Sequence, residues 1–393
     1  MGTFDWAQVM AWRLRRHQLD ERAPAAAMLE VTAKIAGLHA QVMSSAELTL
    51  WARLDGLEPD AVRRALWEER TLVKTWAMRG TLHLLPAAEL PLWQAARSTT
   101  RLWEKGVWLR AFGVTQKELA RLLDAVGEAL DGRMLTREEL AAEVTRLTGS
   151  AKLGEKLRES WGALLKPAAA LGRLCFAPSE GQQVRFTRPD TWLGGWTEHD
   201  PDEALLEVIR RFLAASGPVT REDVTRWWGV PSAAQVQKRI ERLGEEVTVV
   251  DVDGTSAYLL TADAPGLAGA APSRSVRLLP AFDQYVVTAT RQVEHLTPGP
   301  FKERIYRPQG WLSPVLLVGG RMDGIWRQEA KGRRLHVTIE PFTKLPAWAR
   351  RAAEGEAERL AAWNAADLEL DWAEGRGATG GRRRRRPGAA PTA

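Results

Sequence analysis

The sequence predicts an α+β chain: three consecutive winged-helix units, each a run of helices closed by a β-hairpin, and then a smaller strand-rich C-terminal part. Three observations carry this reading. Helical apolar spacing gives way to paired strand-forming runs three times, in the same order. Each pair of runs is joined by a glycine turn: Arg79-Gly80, Ser179-Glu180-Gly181 and Asp253-Gly254. Over residues 276–342 the helical spacing stops and short β-branched and apolar runs take over.

The first unit (1–112) opens with helical spacing over 5–18, where Arg13, Arg15 and Arg16 form the polar side, and over 25–36 and 45–55, where Leu48, Trp51, Ala52 and Leu54 face inward. Pro59 suits a helix start, and that helix runs to about residue 70. Strands over 72–78 and 81–85 then flank Arg79-Gly80. In the second unit (113–196), helices over 115–131, 137–147 and 158–171 precede strands over 174–177 and 184–187. Thr136-x-x-Glu139 reads as the capping box of the middle helix. In the third (197–263), helices over 202–215, from Thr220-x-x-Asp223 to Gly229, and over 232–243 precede strands over 247–252 and 256–261. The three units share an order of elements, not a short sequence period.

Residues 264–275, rich in Ala, Gly, Pro and Ser, read as a linker. The C-terminal part (276–372) holds strand runs at 276–279, 285–288, 316–318, 324–326 and 335–339, enough for a small antiparallel barrel or sheet. An amphipathic helix over 346–370 follows, and the Arg-rich segment 373–393 reads as disordered.

The formal charge of +6 suggests nucleic acid until it is located. Six arginines and no acids lie between Arg376 and Ala393, and the remaining 375 residues balance at 49 basic against 49 acidic. Within that neutral body, residues 61–120 carry ten Lys/Arg against five Asp/Glu, whereas 189–270 carry seven against fourteen. A phosphate-binding face is therefore expected in the first half. The 18 tryptophans are scattered, as core and inter-unit packing would scatter them. Cys175, the only cysteine, excludes an internal disulfide and a cysteine zinc site. The six histidines show no pair at metal-ligand spacing, and no glycine-rich phosphate loop precedes a helix, so neither metal nor cofactor is expected. No apolar run reaches 18 residues, and the N-terminus lacks a leader's apolar core. A cytoplasmic, nucleoid-associated monomer is expected.

Several segments together resemble one family. They are Gly37-Leu38-His39-Ala40-Gln41, the stretch Lys74-Thr75-Trp76-Ala77-Met78-Arg79-Gly80-Thr81-Leu82-His83-Leu84, Trp161-Gly162, Leu278-Leu279-Pro280-x-Phe282-Asp283-x-Tyr285, Gly310-Trp311 and Val318-Gly319-Gly320-Arg321. In this order, over roughly residues 4–370, they resemble the AlkZ-type winged-helix DNA glycosylases. The resemblance implies tandem winged helices and a C-terminal β-barrel in a C-shaped body. It also implies hydrolysis of the N-glycosidic bond to a cationic alkylated purine (N7 or N3) in double-stranded DNA, and the unhooking of interstrand crosslinks. The family's catalytic motif is two polar residues around an apolar one. Here it reads His39-Ala40-Gln41, like a His-x-Gln subgroup rather than the Gln-x-Gln form.

This chemistry suits such residues. An alkylated, cationic purine is already a good leaving group, so the enzyme has to orient water beside C1′ and stabilise an oxocarbenium-like state. Neutral histidine can hold that water as a base, and a glutamine carbonyl can orient it and face the sugar cation. At i, i+2 spacing both side chains share a face only on extended backbone, so residues 37–41 are expected to leave the helix, with Gly37 as the stop. The motif contains no lysine, which predicts base release without Schiff-base lyase chemistry. Arg79 and Gly80, at the first wing's tip, are candidate DNA contacts, or else a turn held by an ion pair. Asp283 and Tyr285 line the cleft if the resemblance holds; read alone, Phe282-Asp283-x-Tyr285 could equally lock the C-terminal part onto the helices, the role expected of Phe282. His83 reads as strand packing. The rival function is a non-catalytic winged-helix transcriptional regulator.

Overall fold

The computed structural model describes residues 2–373 except 161, 231, 290 and 291. One pattern recurs three times: helix, short strand, two helices, hairpin. In the first unit it is Met28–Lys34, Leu38–His39, Met43–Trp51, Ala61–Trp67, then Leu72–Trp76 with Leu82–Pro86. In the second it is Gln116–Ala129, Leu135–Thr136, Arg137–Thr148, Ala151–Glu159, then Cys175–Glu180 with Gln183–Thr187. In the third, Pro201–Ser216 leads to Val219, whose bridge to Tyr258 stands for the short strand, then Arg221–Trp228, Ala233–Arg242 and the hairpin Val247–Val252 with Thr255–Leu260. In the first two units the short strand pairs antiparallel with the second hairpin strand. The third sheet instead takes in Thr3–Phe4, parallel to Val247–Val252, so the chain's start is built into its third unit.

The expected helix over 158–171 is two pieces, Ala151–Glu159 and Lys166–Ala170. Gly162, at φ 85°, breaks it, and a Cβ there would stand 3.3 Å from the Trp76 ring of the first hairpin. Helices Leu90–Ser98 and Gly106–Phe112 follow the first hairpin, where no helix was expected. The presumed linker contains the short helix Ala264–Ala268, with Gly266 seated on Trp12.

The C-terminal part departs most from expectation. Its strands, Val276–Leu279, Val315–Val318, Arg321–Lys331, Arg334–Pro341 and Asp367–Trp372, form one sheet in that order, antiparallel until the last pair, which is parallel. Among the described residues the first and last strands do not pair, so this is a five-stranded sheet rather than a closed barrel. Helix Ala347–Trp363 packs on it through Ala349, Ala353, Ala357 and Leu360. That helix stops short of residue 370 because Ala365 turns left-handed at φ 50°, and the alternating Leu368, Leu370 and Trp372 then make the edge strand. The expected strand at 285–288 is the helix Gln284–Thr288. Its β-branched residues suggest a strand, but the Asp283 carboxylate accepts the Tyr285 N–H and caps a helical turn.

One continuous core joins the first unit to this sheet: Leu14, Leu38, Leu50, Trp51 and Leu54 pack with Leu278, Leu279, Val286 and Leu316. The strand Leu38–His39 therefore lies on the seam between the two parts.

Candidate active site

The site begins with a helix stop. After Met28–Lys34, Ala36 and Gly37 both take left-handed backbone, φ 59° and 87°, and the Gly37 N–H closes on the Thr32 carbonyl at 2.9 Å. A Cβ on Gly37 would meet Leu85 Cδ2 at 2.7 Å, so glycine is required there. Leu38 and His39 then pair with Leu84 and His83, and the Ala40 N–H donates to the Leu82 carbonyl at 2.7 Å. Residues 37–41 have thus left the helix, as the spacing demands: His39 ends the short strand and Gln41 follows it in a bend. Both line one cleft of about 510 Å³.

The other two units show what this junction ordinarily does. Thr136 and Thr220, at the same place in the pattern, cap the following helix reciprocally with Glu139 and Asp223. In the first unit Ala40-Gln41-Val42 intervenes and the helix Met43–Trp51 has no side-chain cap. The first unit forgoes a contribution of about 1 kcal/mol at this point and presents His39 and Gln41 instead.

Gln41 is exposed, whereas only 6% of His39 is. The imidazole stacks on Phe282, with centroids 4.8 Å apart and planes 13° from parallel, and meets His83 edge-on at 5.4 Å. Its Nδ1 is buried, with no hydrogen-bond partner among the described residues. Burial first, and the nearby Arg79 charge second, lower the His39 pKa to about 4, so the ring is neutral at physiological pH. His83 is packing, as expected of a strand residue: fully buried, with Nδ1 3.0 Å from the Thr81 carbonyl.

Phe282 does more than lock two parts together. It holds a left-handed backbone, φ 61°, uncommon for a bulky residue, and both following residues fasten it. Asp283 is bound at two points by Arg53, at 2.7 and 2.8 Å, and Gln284 donates to the Gly37 carbonyl at 2.7 Å. The ring on which His39 lies and the turn that leads to His39 are thereby tied together.

Two expected cleft residues are not in the cleft. Asp283 is completely buried against Arg53, and Tyr285 is buried with its hydroxyl donating to the Gly320 carbonyl at 2.8 Å; both lie behind Phe282. A carboxylate bound by an arginine beneath the wall cannot face a sugar. Arg79 does line the cleft, but not as a free wing tip. Its Nη1 donates to the Trp227 carbonyl at 2.9 Å, and its backbone presses on Gly229, where a Cβ would stand 2.8 Å from Arg79 Cα. The first hairpin is docked on the third unit through a carbonyl, not an ion pair. Burial lowers the Arg79 pKa to about 10, which leaves it charged at neutral pH. Gly80 faces Lys166 of the second unit, whose Nζ would stand 3.8 Å from a Cβ there.

The third unit and the C-terminal part complete the wall with Asp223, Arg226, Trp227, Thr288, Tyr306, Arg307 and Trp311. Of the residues that matter here, sequence reasoning gave no role to Arg53, Gln284 or Trp311. Gly310-Trp311 stood out as a motif, whereas Arg53 follows an apolar helix and carries no signal that it is buried.

The profile of the family described as DNA glycosylase AlkZ-like matches residues 32–363. The chain belongs to this family. It is a DNA glycosylase, a hydrolase acting on N-glycosyl bonds. It is 38% identical over 364 residues to an interstrand DNA cross-link repair glycosylase of Streptomyces sahachiroi, an alignment that covers 91% of this chain and 95% of the relative. Its fold matches the solved structure of Streptomyces sahachiroi DNA glycosylase AlkZ with a TM-score of 0.85 at 37% identity, covering 95% of this chain and all of that one. The α+β architecture is that of AlkZ. Among the described residues no helix is long and apolar enough to cross a membrane.

Proposed function

We propose that this glycosylase releases cationic N7- and N3-alkylpurines from double-stranded DNA, and that it unhooks interstrand crosslinks made through such bases. The observation that carries the reading is that His39 and Gln41, outside any helix, line one cleft together, with His39 held neutral against Phe282. The name of the Streptomyces sahachiroi relative, a cross-link repair glycosylase, favours the crosslink substrate.

The chemistry follows from those two side chains. As the C1′–N bond lengthens, its electron pair neutralises the charged base, which leaves without protonation. A water held by the Gln41 amide oxygen and the His39 imidazole approaches C1′ as cation character develops there. His39 accepts the water's proton as the C1′–O bond forms. A base with a pKa near 4 is weak, and the oxocarbenium-like state asks for no more than a weak base. No lysine belongs to the motif, so no covalent intermediate forms.

On this reading the three units are winged helices spanning about 1–112, 113–196 and 197–263, and with the C-terminal part (276–372) they curve as a monomer around the duplex. The arginine tail, expected to be disordered, lies outside the described residues; its charge would add salt-sensitive affinity. The regulator reading gains nothing from membership in a glycosylase family.

Duplexes carrying 7-methylguanine, 3-methyladenine or a nitrogen-mustard crosslink test the proposal. Release of free base and unhooking are expected, with no adduct trapped by borohydride. Tight binding of these duplexes with neither release nor unhooking would overturn it.

A further inference from the structure

Among the described residues Trp311 is the most exposed tryptophan, at 46%, and it stands on the wall of the cleft that holds His39. Its turn is rigidly made. Gln309 and Gly310 take successive left-handed conformations, φ 61° and 75°, Tyr306 bridges Leu312, and the Arg307 N–H donates to the Trp311 carbonyl at 2.8 Å. The indole meets Phe282 at 79° with centroids 5.0 Å apart, and Phe282 stacks on His39. Three rings in sequence therefore lead from the catalytic strand to an exposed aromatic surface.

The charges around the cleft show what that surface is suited to hold. Arg79, Arg226 and Arg307 line it, and its one carboxylate among the described residues, Asp223, is 4% exposed and engaged by Thr220, Gln292 and Arg226. Asp283 is closed off by Arg53. No accessible carboxylate among the described lining residues attracts a cationic purine, and a guanidinium-lined cleft repels one. The electron-rich face of an indole is the attractive group that remains exposed. The other cleft aromatics are committed: Trp227 stacks on Phe212, and the Tyr306 hydroxyl bonds the Val286 carbonyl.

Resting on the function proposed above, we infer that Trp311 is the specificity-determining residue, stacking on the alkylated base and selecting it by positive charge. The substrate class is then set by charge on the purine ring rather than by the shape of the alkyl group.

The test compares two nearly isosteric lesions in one duplex: 2′-fluoro-7-methylguanine, cationic and resistant to release, and 7-methyl-7-deazaguanine, neutral. The wild type is expected to bind the cationic duplex about tenfold more tightly. Trp311→Phe keeps a several-fold preference. Trp311→Ala and Trp311→Leu both bring the ratio to about one with melting temperature unchanged, leucine separating apolar contact from the π face. No preference in the wild type, or a preference that survives in the leucine variant, overturns the inference. If the wild type releases no 7-methylguanine from ordinary DNA, it is the proposed function that fails instead.

Discussion

Arg53 and Asp283 form a two-point ion pair in which neither side chain reaches solvent, Nη1 to Oδ2 at 2.7 Å and Nη2 to Oδ1 at 2.8 Å. Arg53 also donates to the carbonyls of His17 and Thr49, and Asp283 caps the helix Gln284–Thr288. The pair fastens the C-terminal part to the first unit immediately behind Phe282. Breaking one partner of such a pair costs about 3–5 kcal/mol because a charge is left buried alone. Asp283→Asn is expected to lower stability by about that much in urea unfolding, while the molecules still folded keep kcat within a few-fold. A fall in kcat at unchanged stability would return Asp283 to the chemistry.

His39→Ala should leave affinity for lesion DNA within about twofold and reduce single-turnover excision by about 10²-fold or more, the usual contribution of a positioned base. Gln41→Ala should cost less, about tenfold, since it orients water without taking a proton. Because the two share one water, the double variant should lose less than the product of the single effects. Full excision by the double variant would remove this strand from the mechanism.

The depressed pKa of His39 sets the acid limb. The free enzyme's kcat/KM should be flat from about pH 8 to about 5 and fall with a midpoint near 4, where an ordinary histidine would give about 6.5. Stability follows the same protons. Burial lowers His17, His39 and His83 below 6.5, so below that pH the unfolded chain takes up protons that the fold refuses. Stability is therefore complete above about pH 6.5 and declines beneath it. From about pH 7.5 to 5.5 all three histidines should remove stability, His39 on the order of 1 kcal/mol, read as a lower urea midpoint. A midpoint that rises on acidification would contradict the burial of these rings.

Gly37→Ala should be costlier than Gly56→Ala, although both backbones are left-handed. At Gly56 a Cβ meets nothing within 4 Å, so only the conformational penalty of about 1–2 kcal/mol applies. At Gly37 it collides with Leu85 and approaches the Leu84 carbonyl at 3.2 Å, which displaces the His39 strand. Excision should fall in the first variant and stay intact in the second. Equal activity in both would show that the strand tolerates the shift.

The repeated helix and hairpin order, the glycine turns and the departure of residues 37–41 from the helix were all legible in the chain, since each rests on local backbone preference and spacing. So was the assignment of the net charge to the tail. Other features took their form from tertiary contacts: the Arg79 hairpin docks on Trp227, Asp283 belongs to Arg53, and Phe282, tied to the Gly37 turn through Gln284, carries the histidine. The contacts responsible join residues 148 to 247 positions apart, and they involve charges whose cost of burial only a specific partner can offset. A residue's chemistry is local, but whether it faces a cleft or a counter-ion is settled by what the rest of the chain packs against it.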